Sequence, residues 1–189
     1  MKKLFTLALV AIAALGASAQ DAYIGGRFGF MHEENRGKAA TNEFSILPEF
    51  GYNINKSWAV GTTIGYEYTH WNGTGTDLHL FNFNPYARWS FFRTSNNLVQ
   101  LFVDGGAGIG LGQYDYGKDN DDNHTAVTWN VGLRPGVAIN LTNKFSIVAH
   151  MGFLGYEGAN NAAYDGGKPR RGGFMLDGND LTLGFYYNF

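Results

Sequence analysis

Cysteine is absent from the 189 residues of this chain. The protein therefore has no disulfide, no thiolate metal ligand and no cysteine that could carry a lipid anchor. Charged residues are sparse and nearly balanced, with 14 Lys and Arg against 16 Asp and Glu, for a net charge of −2. Because this balance gives no basic surface of the kind that binds nucleic acid, we expect no nucleic-acid partner.

A long hydrophobic run is also missing. The longest apolar stretch covers residues 4–15, whereas a membrane-spanning helix needs about 20 residues. That stretch follows two lysines and precedes a run of Ala and Ser at residues 17–19, an order typical of a secretory signal peptide. We predict a signal peptide over residues 1–19, cleavage before Gln20, and a mature domain over residues 20–189. The net charge of the mature domain is −4, because the two lysines leave with the signal peptide.

Glycine and aromatic residues, by contrast, are abundant. The chain has 27 Gly, and Phe, Trp and Tyr make up 16% of it. Apolar residues alternate with Gly or polar residues in eight segments, and a period of two is that of a β-strand with one apolar face. The segments cover residues 23–32, 43–52, 58–68, 79–91, 99–111, 127–139, 145–153 and 181–189.

The two faces of these predicted strands differ in a way that indicates which one lies inside a barrel. The apolar face carries no Asp, Glu, Lys or Arg, and every strand charge falls on the Gly-rich face. Glycine and small polar residues make a poor surface towards water, but they fit the narrow interior of an eight-stranded barrel. A closed barrel also pairs every backbone group, as lipid requires. We therefore predict an all-β fold, an eight-stranded antiparallel up-and-down transmembrane β-barrel whose apolar face contacts lipid.

The predicted connections alternate in length. Short ones at residues 53–57, 93–97 and 140–143 alternate with longer ones at 33–42, 71–77, 115–124 and 157–172. Short turns at one end and long polar loops at the other are typical of outer-membrane barrels, whose long loops lie outside the cell. Pro48, Pro85 and Pro135 fall inside predicted strands, where proline removes a ladder hydrogen bond, and we expect bulges or bends at these positions.

Two segments resemble a known family. They are Pro48-Glu49-Phe50-Gly51-Tyr52, which runs into Trp58-Ala59-Val60-Gly61, and the terminal Leu183-Gly184-Phe185-Tyr186-Tyr187-Asn188-Phe189. These motifs resemble the outer-membrane β-barrel family of Bacteroidota, which is similar to the small OmpX-like and OmpA-like eight-stranded barrels. The resemblance covers residues 20–189. It implies residence in the outer membrane, contact with its lipid, and insertion by the barrel-assembly machinery, for which Phe189 is the signal. It implies no particular activity, because small barrels serve unrelated functions.

Six charged residues on the Gly-rich face are the candidate functional residues. Three arginines stand against three acids: Arg27, Arg88 and Arg134 against Glu49, Glu67 and Asp104. Spacing from the turns places Arg27 beside Glu49. It also places Asp104 between Arg88 and Arg134. Because an unpaired charge in a narrow lumen is costly, the sequence favours a structural plug of ion pairs. A selectivity ring in an open channel is the alternative.

Other motifs indicate no catalytic or cofactor site. The glycines at residues 105–110 lack the G-x-G-x-x-G spacing of a dinucleotide site. The acidic loop at 115–124 lacks the Gly and Glu of a Ca²⁺-binding EF-hand. No His is followed two residues later by Ser, the pattern of outer-membrane lipid A deacylases. Four of the five histidines lie near predicted outer strand ends, which does not by itself make them converge: His32, His70, His79 and His124. We therefore expect no cofactor, no metal and no enzymatic activity.

The leading functional hypothesis is a monomeric structural or surface-interaction barrel whose four outer loops contact an extracellular ligand. A narrow channel for small solutes is the second hypothesis, and a lipid-modifying enzyme is the third. Conductance across a planar bilayer separates the first two, and mass analysis of lipid A tests the third.

Overall fold

The computed structural model describes residues 21–33, 40–115, 124–160, 170–175 and 182–189. The predicted signal peptide and most of three predicted loops lie outside these described residues. The strands are β1 (Ala22–Glu33), β2 (Thr41–Asn53), β3 (Trp58–Trp71), β4 (Thr76–Arg93), β5 (Val99–Asp115), β6 (His124–Asn140), β7 (Phe145–His150), β8 (Phe153–Ala159), β9 (Arg170–Met175) and β10 (Thr182–Asn188). In this part of the chain, no helix is long and apolar enough to cross a membrane.

Strand pairing closes the sheet into a barrel. Each strand from β2 to β6 is antiparallel to the strand before it. β7 and β8 pair one after the other with β6, and they therefore form the two halves of the seventh barrel strand. β10 pairs with β7 and β9 pairs with β8, so these two form the eighth. Because β10 also pairs with β1, the barrel is closed, and the predicted eight-stranded antiparallel fold is confirmed.

Large apolar side chains cover the outside of the barrel. Phe28, Phe30 and Phe185 are 76%, 73% and 60% exposed. A continuous apolar surface of this kind is unfavourable in water and is accommodated by lipid. Near the short turns, the outward rings of Trp58 and Trp89 stack with their centroids 6.3 Å apart. Such aromatic girdles mark the boundary of a membrane, so the short turns lie just beyond one edge of the apolar band.

Two of the three strand prolines interrupt the ladders without the expected bulges. The register of β2 with β3 is the same on both sides of Pro48. The register of β4 with β5 is likewise the same on both sides of Pro85. At these two positions the expectation of a bulge is wrong, because the ladder tolerates the lost hydrogen bond without an extra residue. Pro135 differs, because it lies opposite an irregularity in its partner strand, where its carbonyl accepts a hydrogen bond from the Met151 amide at 3.0 Å.

That irregularity changes which side chains face the lumen. β6 pairs with β7 and then with β8 in registers that differ by one residue. Gly152, with a φ of +72°, accommodates the extra residue in a conformation that costs glycine little. Phe153 is consequently buried in the lumen, and Leu154 is exposed on the outside. Regular alternation over the predicted strand 145–153 places Phe153 on the outer face together with Phe145. That prediction is wrong, because one inserted residue reverses the alternation that follows it.

The strands extend past the apolar band at the end opposite the short turns. β4 has 18 residues, whereas a tilted strand crosses a membrane with about 9–11. In the extension, polar residues face outward and apolar residues pack inward, as in a soluble β-protein. The outward polar residues are register neighbours on β1 to β5: His32, Asn42, His70, Asp77 and Asp115. The inward cluster consists of Leu78, Leu80, Tyr114 and Ala126, with Trp71 and Ala159 packed against it. We call this outer extension of the barrel, with its polar row and apolar cluster, the collar.

The collar replaces one of the predicted loops. The segment predicted as a long loop at 71–77 is a short turn over residues 72–75 between β3 and β4. Asp77 instead belongs to β4 and lies on its outward register. There its carboxylate accepts a hydrogen bond from the Tyr68 hydroxyl at 2.6 Å and lies 2.7 Å from His70 Nδ1. The outer face therefore carries an acid at its rim, which the charge-free face predicted from the sequence did not include.

Contact with lipid predicts that a charge on the outer face costs more at mid-depth than near the rim. Ile109 lies on β5 within the apolar band, and Gln113 lies on the same face four residues nearer the outer end. We expect Ile109→Arg to lower the free energy of unfolding by about 2–4 kcal/mol and Gln113→Arg by about 0–1 kcal/mol. Urea unfolding of the two variants in lipid vesicles measures the difference. Equal losses would show that Ile109 does not face lipid.

Candidate functional site

The six charged residues singled out in the sequence lie on the lumen side of their strands. Arg88, Asp104 and Arg134 are register neighbours on β4, β5 and β6. Arg27 on β1 lies one inward position nearer the outer end than Glu49 on β2. The two-residue period of the strands is enough to place all six side chains in the lumen. The positions of their side chains determine which of them bind one another.

Arg88 is the centre of the interior. Its side chain is 6% exposed. Its guanidinium group binds the Asp104 carboxylate with two hydrogen bonds, from Nε to Oδ1 at 2.7 Å and from Nη2 to Oδ2 at 2.8 Å. The same Nη2 donates to the Tyr186 hydroxyl at 3.0 Å and to Glu49 Oε1 at 3.4 Å. Forked pairs of this kind are among the strongest hydrogen-bonded ion pairs in proteins.

Glu49 is the most deeply buried acid, with 1% of its surface exposed. Two phenols donate to its Oε1 atom, Tyr186 at 2.5 Å and Tyr86 through a short bond. The Tyr86 hydroxyl is in turn 2.6 Å from the hydroxyl of Tyr23. A buried carboxylate is tolerated only when its oxygens are hydrogen-bonded or paired with a cation, and here the phenols and Arg88 supply both.

Asp104 is bound by a histidine as well as by Arg88. His150 Nε2 lies 2.9 Å from Asp104 Oδ2. Arg134, although it is the register neighbour of Asp104, instead places its guanidinium carbon 5.4 Å from the centre of the Phe153 ring. Asp104 therefore lies between the two arginines in the strand register, as predicted, but only Arg88 binds it directly. The reason is the inserted residue between β7 and β8, which turns the ring of Phe153 into the lumen beside Arg134.

The two remaining predicted charges also take other partners. Arg27 donates to the Thr182 hydroxyl at 3.2 Å, and the structure records no hydrogen bond between its side chain and Glu49. Glu67 accepts a hydrogen bond from the Asn82 amide at 2.8 Å. Ion pairing with arginine in the described lumen is thus concentrated on Arg88, whereas the sequence predicted ion pairs spread over three arginines and three acids.

Aromatic rings surround that arginine. The Arg88 guanidinium carbon lies 4.0 Å from the centre of the Phe102 ring and 5.3 Å from those of Tyr86 and Tyr186. A desolvated cation over an aromatic face gains about 2 kcal/mol, so these rings stabilise the charge that they also shield from water. Phe102 itself has no exposed surface. We call the following set the plug: Tyr23, Glu49, Tyr86, Arg88, Phe102, Asp104, His150 and Tyr186.

Glycine provides the space for these rings. A Cβ added to Gly51 would overlap the ring of Tyr23, and one added to Gly136 would overlap the ring of Phe102. Sequence reasoning interpreted glycine as filler for a narrow lumen and assigned no role to the aromatic residues or to His150. The sequence does contain a pattern that could have identified these residues. They are large side chains on a strand face that otherwise carries mostly small and polar residues.

The buried charges of the plug compensate one another, and its side chains occupy the middle of the lumen. Glu49, Arg88 and Asp104 are 1%, 5% and 7% exposed, and their charges face one another. Within the described ranges, no group of three or more His, Cys, Asp or Glu side chains is placed to hold a metal ion. The arrangement is that of a packed polar core and not of an open cleft.

A closed barrel with an apolar outer band, an aromatic girdle and a polar interior is the architecture of proteins that span the bacterial outer membrane. The protein is an integral outer-membrane β-barrel protein. It belongs to the family described as outer membrane protein beta-barrel domain, which matches residues 5–189 of the chain.

Solved structures of similar proteins include other small barrels. Neisserial surface protein A is 19% identical, with 89% of this chain and 95% of that chain covered and a TM-score of 0.49. OprG from Pseudomonas aeruginosa is 14% identical, with 90% and 96% covered and a TM-score of 0.49. Ail of Yersinia pestis is 15% identical, with 90% and 99% covered and a TM-score of 0.46. A search of curated proteins found no match. The narrower resemblance to barrels of Bacteroidota stays a prediction.

Proposed function

We propose that this outer-membrane barrel conducts no ions and catalyses no reaction, and that it holds its outer connections in place for contact with molecules outside the cell. The observation that carries the proposal is the plug, in which a forked ion pair and four aromatic rings occupy the lumen at the level of Arg88. In this proposal the barrel is monomeric, contacts outer-membrane lipid, and is inserted by the barrel-assembly machinery.

Passage of a solute would require the plug to break. The interior of an eight-stranded barrel is only wide enough for side chains. Here that space holds Glu49, Arg88 and Asp104, and separating them would leave buried charges without partners at a cost of several kcal/mol. The apolar cluster of the collar fills a further part of the interior nearer the outer end, on the side of β3 to β6. The plug together with this cluster favours an obstructed barrel over a conduit.

The surfaces left for recognition are at the outer end. The connections that include residues 34–39, 116–123 and 161–169 join strands that reach the collar. Binding residues in rigid scaffolds concentrate on such connections, which vary without disturbing the scaffold.

Phe189 lies beside Tyr187 at the opposite end of the barrel and is the proposed insertion signal. A reduced level of folded Phe189→Lys protein in the outer membrane would support that role.

Two measurements test the proposal. In planar bilayers, the wild-type protein is expected to give no unitary conductance steps, and stable steps would favour the channel instead. In a deletion strain, a variant with residues 116–123 and 161–169 replaced by short turns should fold normally yet fail to restore the phenotype that the wild type restores. Full restoration by the shortened variant would contradict a role of these connections, and altered lipid A in the deletion strain would favour the enzyme.

A further inference from the structure

A small cavity lies inside the barrel next to the plug. Its volume is about 30 Å³, enough for one small ion or about two water molecules. Basic side chains converge on it from three strands: Arg27, Arg134 and His150. The amides of Asn84 and Asn130 also line the cavity, as do the acids Glu49 and Asp104, whose carboxylates are paired with Arg88.

The two arginines at this cavity lack a directly bound acid. Within the described residues, the contacts of Arg134 include the Phe153 ring at 5.4 Å but no carboxylate within 4 Å, and the nearest recorded partner of Arg27 is the Thr182 hydroxyl. The Nε atom of Arg27 is buried and has no hydrogen-bond partner. Arg27 repels Arg134, and Glu157, Glu67 and Asp104 attract it, although none of these acids forms an ion pair with it. Two like charges therefore line one small cavity without a directly bound acid between them.

His150 adds a third basic group with an unused atom. The residue is 5% exposed, and its Nε2 atom is engaged by Asp104. Its Nδ1 atom is buried without a hydrogen-bond partner. With Nε2 bound to the Asp104 carboxylate, Nδ1 is the ring atom that stays unpaired. An unpaired buried polar atom costs about 1–3 kcal/mol, and the Nε–H of Arg27 is an unsatisfied donor at this cavity.

We propose that the cavity binds one small monovalent inorganic anion, such as chloride, between Arg27 and Arg134. An anion there accepts hydrogen bonds from both guanidinium groups and removes their repulsion, which a water molecule cannot do because it is neutral. The amide pair Asn130 and Asn84, joined by a hydrogen bond at 3.1 Å, lines the same cavity. Because the cavity is about 30 Å³, we expect it to admit a halide that has lost its hydration shell and to exclude larger anions such as phosphate and sulfate.

The first test is the dependence of stability on chloride. The mature protein in lipid vesicles is unfolded in urea with sodium chloride or sodium gluconate at the same ionic strength. For a site with a Kd of about 10 mM, raising chloride from 1 to 100 mM lowers the unfolding equilibrium constant about tenfold, whereas gluconate is too large to enter. Identical unfolding in the two salts would overturn the proposal.

Two variants and one direct observation complete the test. Arg134→Gln should lose the chloride dependence, whereas Arg93→Gln should keep it, because exposed Arg93 lies at the far end of the barrel and binds Lys56 and Gln100 there. If Arg134→Gln fails to fold, wild-type crystals grown in bromide decide the question. One anomalous peak between the guanidinium groups of Arg27 and Arg134 is expected. Bromide only on the outer surface, or an equal response to sulfate, would contradict a size-selective internal site.

Discussion

Replacing Arg88 by Met is expected to lower the free energy of unfolding by about 3–5 kcal/mol, the range found when one partner of a buried ion pair is removed. The variant keeps approximately the length of the side chain but leaves the buried acids Glu49 and Asp104 without their cation. It also removes the charge that the rings of the plug surround. Equilibrium urea unfolding in lipid vesicles, compared with the wild type, measures the loss.

The control for this prediction is Arg93→Met, because Arg93 is exposed near the short turns and a surface substitution changes stability by about 0.5 kcal/mol or less. A rescue variant combines Arg88→Met with Glu49→Gln and Asp104→Asn, which removes both orphaned charges at nearly constant shape. It should recover a substantial part of the lost stability, because neighbouring sites are not additive. If Arg88→Met is as stable as Arg93→Met, the plug contributes nothing to the fold.

Replacing Phe102 by Ala is expected to cost about 3–5 kcal/mol as well, for a different reason. Phe102 has no exposed surface and packs between the Arg88 guanidinium and the edge of His150, whose ring centroid is 5.3 Å away. Its removal leaves a cavity in a core that cannot collapse, because the barrel strands fix the distance between the walls. The free energy of unfolding in lipid vesicles is again the quantity measured.

The matched control is Phe83→Ala on the outer face. Phe83 is 45% exposed, and lipid chains can fill the space that its ring leaves. Its substitution should therefore cost clearly less than that of Phe102. Similar losses for the two phenylalanines would show that the lumen is no more tightly packed than the lipid-facing surface. Conductance of the Phe102→Ala variant then reports whether the vacated volume admits ions.

The barrel could be predicted from the sequence because its interior and exterior differ in composition at every second residue. The alternation of apolar with glycine or polar residues assigns each strand position to the lipid side or the lumen side. It therefore places Arg88 and Asp104 in the lumen. The prediction failed at Phe153, because a single inserted residue before it leaves no trace in composition and yet reverses every later side chain. The collar was missed for a related reason. In the collar, polar Asp77 faces outward and apolar Leu78 faces inward, which is the reverse of the lipid-facing band. Asp77 lies in the segment 71–77 that was predicted as a loop, and Leu78 directly follows it.

The plug was only partly accessible to sequence reasoning. Counting charges identified Arg88, Glu49 and Asp104 but could not choose among their partners, since register neighbours and bound neighbours differ in a tilted barrel. The binding of His150 to Asp104 depends on where the seventh strand breaks. The tyrosines that donate to Glu49 lie on strands far apart in the sequence, and only closure of the barrel brings them together.

The collar has a consequence for how this protein can diversify. The collar has its own apolar cluster, which consists of Leu78, Leu80, Tyr114 and Ala126. This cluster stabilises the ends of the strands where they extend beyond the bilayer. New sequence inserted in the turn at residues 72–75 would begin and end on paired strands outside the lipid. Changes of this kind can alter the exposed surface while the membrane-spanning part of the strands stays the same. The same property makes the hairpin of β3 and β4 a natural position for displaying a foreign peptide on the cell surface.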